Sequence, residues 1–244
     1  MQEALSNAGM RLPATVTHPA LPATQAPSRH FLWSDLLVAL LGLAMLLAWD
    51  GSGLDLALVR HWGDAQGFAW REHWLTAKVL HEGGRAAAWL LALVLIVNCF
   101  KPLWPRQTRT ERLGWLAMTV FCVVLIPLLK HQSQTSCPWD LAEFGGVAHY
   151  VSHWHIGVAD GGPGRCFPSG HASSAFAFLS GFFALRRAYP RSARAWLLGV
   201  LLVGTLFGWT QMARGAHYAS HTMWTAWICW CCCAVGALAL RRRP

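Results

Sequence analysis

Charge is what this sequence most lacks. Only 13% of its 244 residues are charged, where a soluble domain carries roughly a quarter, which argues against an ordinary water-soluble fold. The first 30 residues have no apolar period and are rich in Ala, Pro, Thr and Ser, so a disordered tail is expected there. The first apolar run ends in Trp49-Asp50-Gly51 without a small-residue cleavage site, so it does not read as a signal peptide. There is no internal repeat. What is present is apolar: 55% of the chain is hydrophobic and 15 residues are Trp, which suits a membrane protein with aromatic interface belts.

Crossing ~30 Å of hydrocarbon takes ~20 helical residues, and six segments are apolar enough, near 32–49, 86–104, 113–129, 168–186, 194–213 and 219–240. The predicted fold class is therefore all-α: a polytopic bundle of six transmembrane helices, forming one domain over 31–244 behind a cytoplasmic tail, 1–30. Pro127, in the last turn of the third segment, is expected to kink or end it. The net charge of +9 raises the possibility of nucleic acid, but the placement of the charges argues for a membrane instead. Thirteen of the 20 Lys and Arg, including Arg11, Arg29, Lys101, Arg106, Arg109, Arg112, Arg186, Arg187, Arg191, Arg194 and Arg241 to Arg243, fall on one side of an even number of spans. By the positive-inside rule that side is cytoplasmic, and both termini with it.

The opposite side, with segments near 50–85 and 130–167, gathers ten of the 12 histidines: His61, His73, His81, His131, His149, His153, His155, His171, His217 and His221. Lys130, Arg165 and Arg214 join them near span ends, where a charge marks a function or a snorkelling anchor. The stretch Arg165-Cys166-Phe167-Pro168-Ser169-Gly170-His171 runs straight into an apolar segment. Pro suits a first helical turn, whose outward-pointing amides attract phosphate, and Gly170 lets an anion approach the backbone. Cys137 and Cys166 are the only cysteines on this side; the other six, Cys99, Cys122, Cys229, Cys231, Cys232 and Cys233, lie in spans. An oxidising compartment favours a Cys137–Cys166 disulfide, contributing ~3–4 kcal/mol by loop closure; the alternative is two unpaired thiols.

These residues resemble the type 2 phosphatidic acid phosphatase (PAP2) family of integral-membrane lipid phosphatases. The family pattern is Lys, six residues, Arg-Pro; then Pro-Ser-Gly-His; then Ser-Arg, five residues, His, three residues, Asp. Pro168-Ser169-Gly170-His171 matches the second motif completely. The first is partial, Lys130 followed after six residues by Cys137-Pro138, with Cys in place of Arg. In the third, His217 matches, Thr210-Gln211 replaces Ser-Arg and His221 stands where the Asp belongs. The resemblance implies a PAP2-type helical bundle at the bacterial inner membrane with its active site facing the periplasm. It implies that His217 attacks phosphorus to form a phosphohistidine, that His171 is general acid and then base, and that no metal or other cofactor is needed. His221 would orient His217, with Asp140 or Asp160 as possible sources of the missing charge. Lys130, Arg165, Arg214 and the amides around Ser169 and Gly170 would hold phosphate. If 214–221 is helical, Arg214, His217 and His221 share a face.

The partners so implied are the bilayer and a membrane lipid phosphate, with no nucleic acid and no protein partner predicted. Candidate lipids are undecaprenyl diphosphate, phosphatidic acid, phosphatidylglycerol phosphate and lipid A. His81 and Arg85, four apart, read either as headgroup contacts or as an interfacial turn. Trp62, Trp70 and Trp74 suggest an interfacial helix over the site. His149, His153 and His155 have metal-like spacing but no Cys or carboxylate in phase. Competing readings are a lipid-to-lipid phosphotransferase, a non-catalytic lipid-phosphate-binding relative, and a histidine-ligated cytochrome or metal transporter. The last is disfavoured because nearly all the histidines lie outside the apolar spans.

Overall fold

The computed structural model describes residues 29–241; the expected tail up to residue 28, and Arg242 and Arg243, lie outside the described residues, while Arg29 and His30 are helical. Helix α1 (Arg29–Asp50) rises to the histidine-bearing end. There α2 (Leu54–Val59) and a two-residue-stranded hairpin, β1 (Gly63–Asp64) and β2 (Gly67–Phe68), precede a π-helix (Leu75–Gly83) that runs into α3 (Gly84–Phe100). Next come α4 (Arg109–Gln132), a long loop, the short helices α5 (Ser173–Phe176) and α6 (Ser180–Leu185) joined by a 3-10 turn, α7 (Pro190–Ala213) and α8 (Ala219–Arg241). The result is an all-α polytopic bundle: five helices, counting Leu75–Phe100 as one, are long and apolar enough to cross a membrane, and the sixth, Ser173–Leu185, is shorter.

That shorter segment corrects the span expected at 168–186. The Pro-Ser-Gly-His turn occupies its first residues, and helix starts only at Ser173. It can be short because it never meets lipid on its own: α4, α7 and α8 pack around it, and Ala172, Ala175, Phe176, Ala177, Phe178, Leu179, Phe183 and Leu185 are all buried. At the 3-10 turn Trp196 Nε1 donates to the Phe178 carbonyl at 2.6 Å, tying α7 to this segment. The outward faces of α1, α3, α4 and α7 carry exposed Leu40, Leu41, Leu90, Leu93, Val120, Phe121 and Leu202, as lipid-facing surfaces require.

Two further expectations change. Helix α4 does not end at Pro127 but continues to Gln132, with Pro127 exposed on its surface. Residues 50–85 do not form one helix: Gly53 and Gly67 take left-handed φ of 71° and 105°, and the segment divides into α2, the hairpin and the π-helix. This segment instead builds a lid core, with Val59, Phe68, Leu141, Phe144, Ala148 and Tyr218 buried together over the helix ends. At the opposite, arginine-rich end, Arg186 and Asp35 form a buried bidentate pair at 2.5 and 2.7 Å, tying α6 to α1, with Phe31 and Phe183 over the guanidinium.

Candidate active site

The Pro-Ser-Gly-His turn is locked to the start of α8 by its backbone. Ser169 N donates to the His221 carbonyl at 3.1 Å, and Thr225 Oγ1 donates to the Ser169 carbonyl at 3.0 Å. Ser169, fully buried, accepts from Ala172 N through its hydroxyl, and Ser173 Oγ donates to the Gly170 carbonyl at 2.6 Å. A Cβ on Gly170 would lie 3.5 Å from Lys130 Cδ and 3.9 Å from its Nζ, so the ammonium at the end of α4 lies against this turn. On the other flank Cys166 is joined to Cys137 by a disulfide. That bond anchors the turn to the loop after α4, where Cys166 N also donates to the Thr135 carbonyl at 2.9 Å.

Three histidines converge here. His171 is 8% exposed, its ring between Phe207 (4.7 Å) and His81 (4.5 Å). Burial and the neighbouring His81 push its pKa down to about 3, partly opposed by the Leu80 carbonyl, which accepts from the ring. Its Nε2 is buried without a protein partner. His217 is 3% exposed, and burial first, then the Lys130 charge, His221 and His171, hold its pKa well below the ordinary imidazole value. These surroundings favour the neutral form of its ring. His217 Nδ1 lies 3.4 Å from His221 Nδ1 and 3.5 Å from the disulfide sulfur of Cys166. His221, 1% exposed, is enclosed by Tyr218 (5.0 Å) and Phe167 (5.2 Å).

The structure places the expected site residues unevenly. Lys130, Ser169, Gly170, His171, His217 and His221 meet around one turn, and Arg214 borders His171 and His81. The segment 214–221 is not one helix: α7 ends at Ala213, Gly215 turns back with φ 72°, and α8 starts at Ala219. A Cβ at Gly215 would stand 2.4 Å from the Phe68 ring, so the break is built into the lid packing. Arg214 therefore does not share a helical face with the histidines, and its Nε donates to the Arg71 carbonyl at 2.9 Å. Arg165 is exposed, at φ 57°, with its N–H bonded to Ser133 O at 2.7 Å. Asp140 and Asp160 turn inward on their own loop: Asp140 accepts from Cys137 N, and Asp160 from Ser136 and Gly162.

Some of this lay beyond sequence reasoning. The π-helix sets His81 over His171, and its only sequence signal is the spacing of His81 and Arg85 ahead of an apolar run. Asp55 accepts from Ser220 N at 2.9 Å and from the Ser220 hydroxyl, fixing the residue beside His221. Nothing in the spacing pairs positions 165 residues apart. Among the described residues the one close trio of metal-ligating types is Cys137, Cys166 and His217. Its sulfurs are bonded to each other, so the trio is not a metal site as it stands.

The PAP2 superfamily model matches residues 111–244, more than half of the chain and a stretch that contains all three motifs. The chain belongs to the PAP2 superfamily. Its members are generally phosphatases, so phosphatase-type chemistry is the broad class that fold and site define. No curated protein and no solved structure matches it.

Proposed function

We propose that the protein hydrolyses a lipid phosphomonoester or diphosphate at the periplasmic face of the bacterial inner membrane, without metal, through a phosphohistidine on His217. The observation that carries this reading is the meeting of a neutral, buried His217 with His171, whose Nε2 is unpartnered, beside Lys130 at the Pro-Ser-Gly-His turn. The orientation rests on the positive-inside placement of the arginines.

With Nδ1 turned to His221, His217 attacks through Nε2. The phosphorus–oxygen bond to the lipid breaks, its electron pair leaves with the lipid oxygen, and His171 delivers a proton there. His171 is neutral in the empty site because of burial and nearby cations. A bound phosphate dianion reverses the sign of that local field and favours the protonated ring. Water then attacks phosphorus and gives its proton to His171. The phosphorus–nitrogen bond breaks and its electron pair returns to His217. Lys130 and Arg214 offset the charge of the transferring group. Since the Ser169 amide is engaged by His221 O, the amides of Gly170 and His171 are left for the phosphate oxygens. Arg165, on the exposed rim, would meet the headgroup as it arrives.

The test is inorganic phosphate release by detergent-purified protein from a panel of lipid phosphates with EDTA present. Release that survives EDTA and is lost in His217→Ala supports the proposal; equal release by that variant contradicts it.

A further inference from the structure

A phosphohistidine needs its second nitrogen held, and the imidazole gains positive charge as it attacks. The superfamily's third motif meets this with a carboxylate at the position that is His221 here. A neutral His221 can accept a hydrogen bond from His217 but brings no charge.

Two buried carboxylates near this end, and the half-buried Asp140, already take donors: Asp160 from Ser136 and Gly162, Asp55 from Ser220 and Trp49, and Asp140 from Cys137. Asp50, at the end of α1, differs. Its Oδ2 accepts from Trp224 Nε1 and Trp154 Nε1, each at 3.0 Å, and lies 3.3 Å from His153 Nε2 as an ion-pair contact, while Oδ1 and His153 Nε2 are both buried without a hydrogen-bond partner. The Asp50 and His153 side chains are 3% and 9% exposed. His153 is stacked in parallel on Phe167 at 4.2 Å, within the stretch that carries the Pro-Ser-Gly-His turn. Its ring also stands edge-on to His221, with centroids 6.1 Å apart. The order is thus Asp50, His153, His221, His217, drawn from α1, the long loop, α8 and the turn before it.

We propose that Asp50, acting through His153 on His221, supplies the negative charge that the third motif of this chain no longer carries. The carboxylate acts on the His153 ring at 3.3 Å, and that ring in turn meets His221 edge-on. His221 Nδ1 is then the acceptor for His217 Nδ1–H, which leaves His217 Nε2 with its lone pair. Asp50 and His153 are positioning residues; neither touches phosphate. The inference rests on His217 as the attacking nitrogen.

The experiment compares wild type, Asp50→Asn, His221→Asp and the double variant in kcat and KM, on whichever of phosphatidic acid and undecaprenyl diphosphate the wild type hydrolyses in detergent micelles. Asp50→Asn is expected to lower kcat roughly 10-fold or more, as loss of an outer partner of a catalytic group does, with KM within about 2-fold. His221→Asp puts a carboxylate directly beside His217, so measured against that variant's own kcat Asp50→Asn costs less than about 2-fold. Equal losses in both backgrounds would make Asp50 a merely structural residue and overturn the proposal. So would a neutral Asp50→Asn or an inactive His221→Asp. If Asp50→Asn does not fold, His153→Gln takes its place with the same expectations. A wild type that releases no phosphate from either lipid refutes the phosphatase reading itself, a result distinct from any of these.

Discussion

Acid should destabilise this protein through His171, and the size of the effect follows from its surroundings. Burial and His81 hold the folded pKa at about 3, while an unfolded histidine titrates near ~6.5. Between these values the unfolded chain binds a proton that the folded ring refuses. Stability therefore rises with pH through this window and is lost as pH falls below about 6.5. Each pH unit inside the window is worth ~1.4 kcal/mol. Going from pH 7.5 to pH 5.0 thus costs ~2 kcal/mol from His171 alone, or ~4–8 °C in melting midpoint for a chain of this size. His217 acts in the same direction, so the wild type loses more in total. The measurement is thermal unfolding in detergent, followed by tryptophan fluorescence at both pH values, for wild type and His171→Gln. The variant should show a pH-induced drop smaller by ~4–8 °C, whatever its absolute midpoint. An identical drop in both proteins would refute the claim that burial keeps this ring neutral.

Other consequences follow from the same packing. Arg186→Leu leaves Asp35 buried and uncompensated and should cost ~3–5 kcal/mol, whereas Asp35→Leu with Arg186→Met should be nearly neutral; denaturation in detergent separates the two, and equal losses would mean that the pair is not buried as described. Thiol titration of the denatured, unreduced protein should find the six free cysteines, and eight reactive thiols would remove the disulfide from the site. Lys130→Ala should slow phosphate release by ~10²–10³-fold, as loss of one positioned electrostatic group does, and near-normal turnover would take Lys130 out of the phosphate site.

The long helices were legible because lipid imposes a simple rule on them: a run such as Gly114 to Leu129, without a charge, has few alternatives to a membrane helix. Pro-Ser-Gly-His was legible as a contiguous motif, whereas the bonds that hold its backbone come from His221 and Thr225 at the start of α8. The segment before α3 was not. Its three tryptophans suggested an amphipathic helix, but Gly53 and Gly67 and the packing of Phe68 on Phe144 at 4.9 Å produced a lid with a hairpin instead. The third motif was half legible. Histidines four apart at the start of α8 do face each other, whereas the glycine break before them turns Arg214 to a different partner. Asp50 and Asp55 were invisible because their partners lie more than 100 positions away. Long-range pairing of a lone carboxylate leaves no periodic trace in one sequence.

The account turns on His217 as the phosphorylated residue. Rapid quenching of the protein with a ³²P-labelled lipid phosphate, followed by alkali treatment and peptide mapping, tests it most directly. The account predicts an alkali-stable, acid-labile label on the peptide that contains His217, absent from His217→Ala. Steady turnover with no label on that peptide, or a label that persists in the variant, would contradict it.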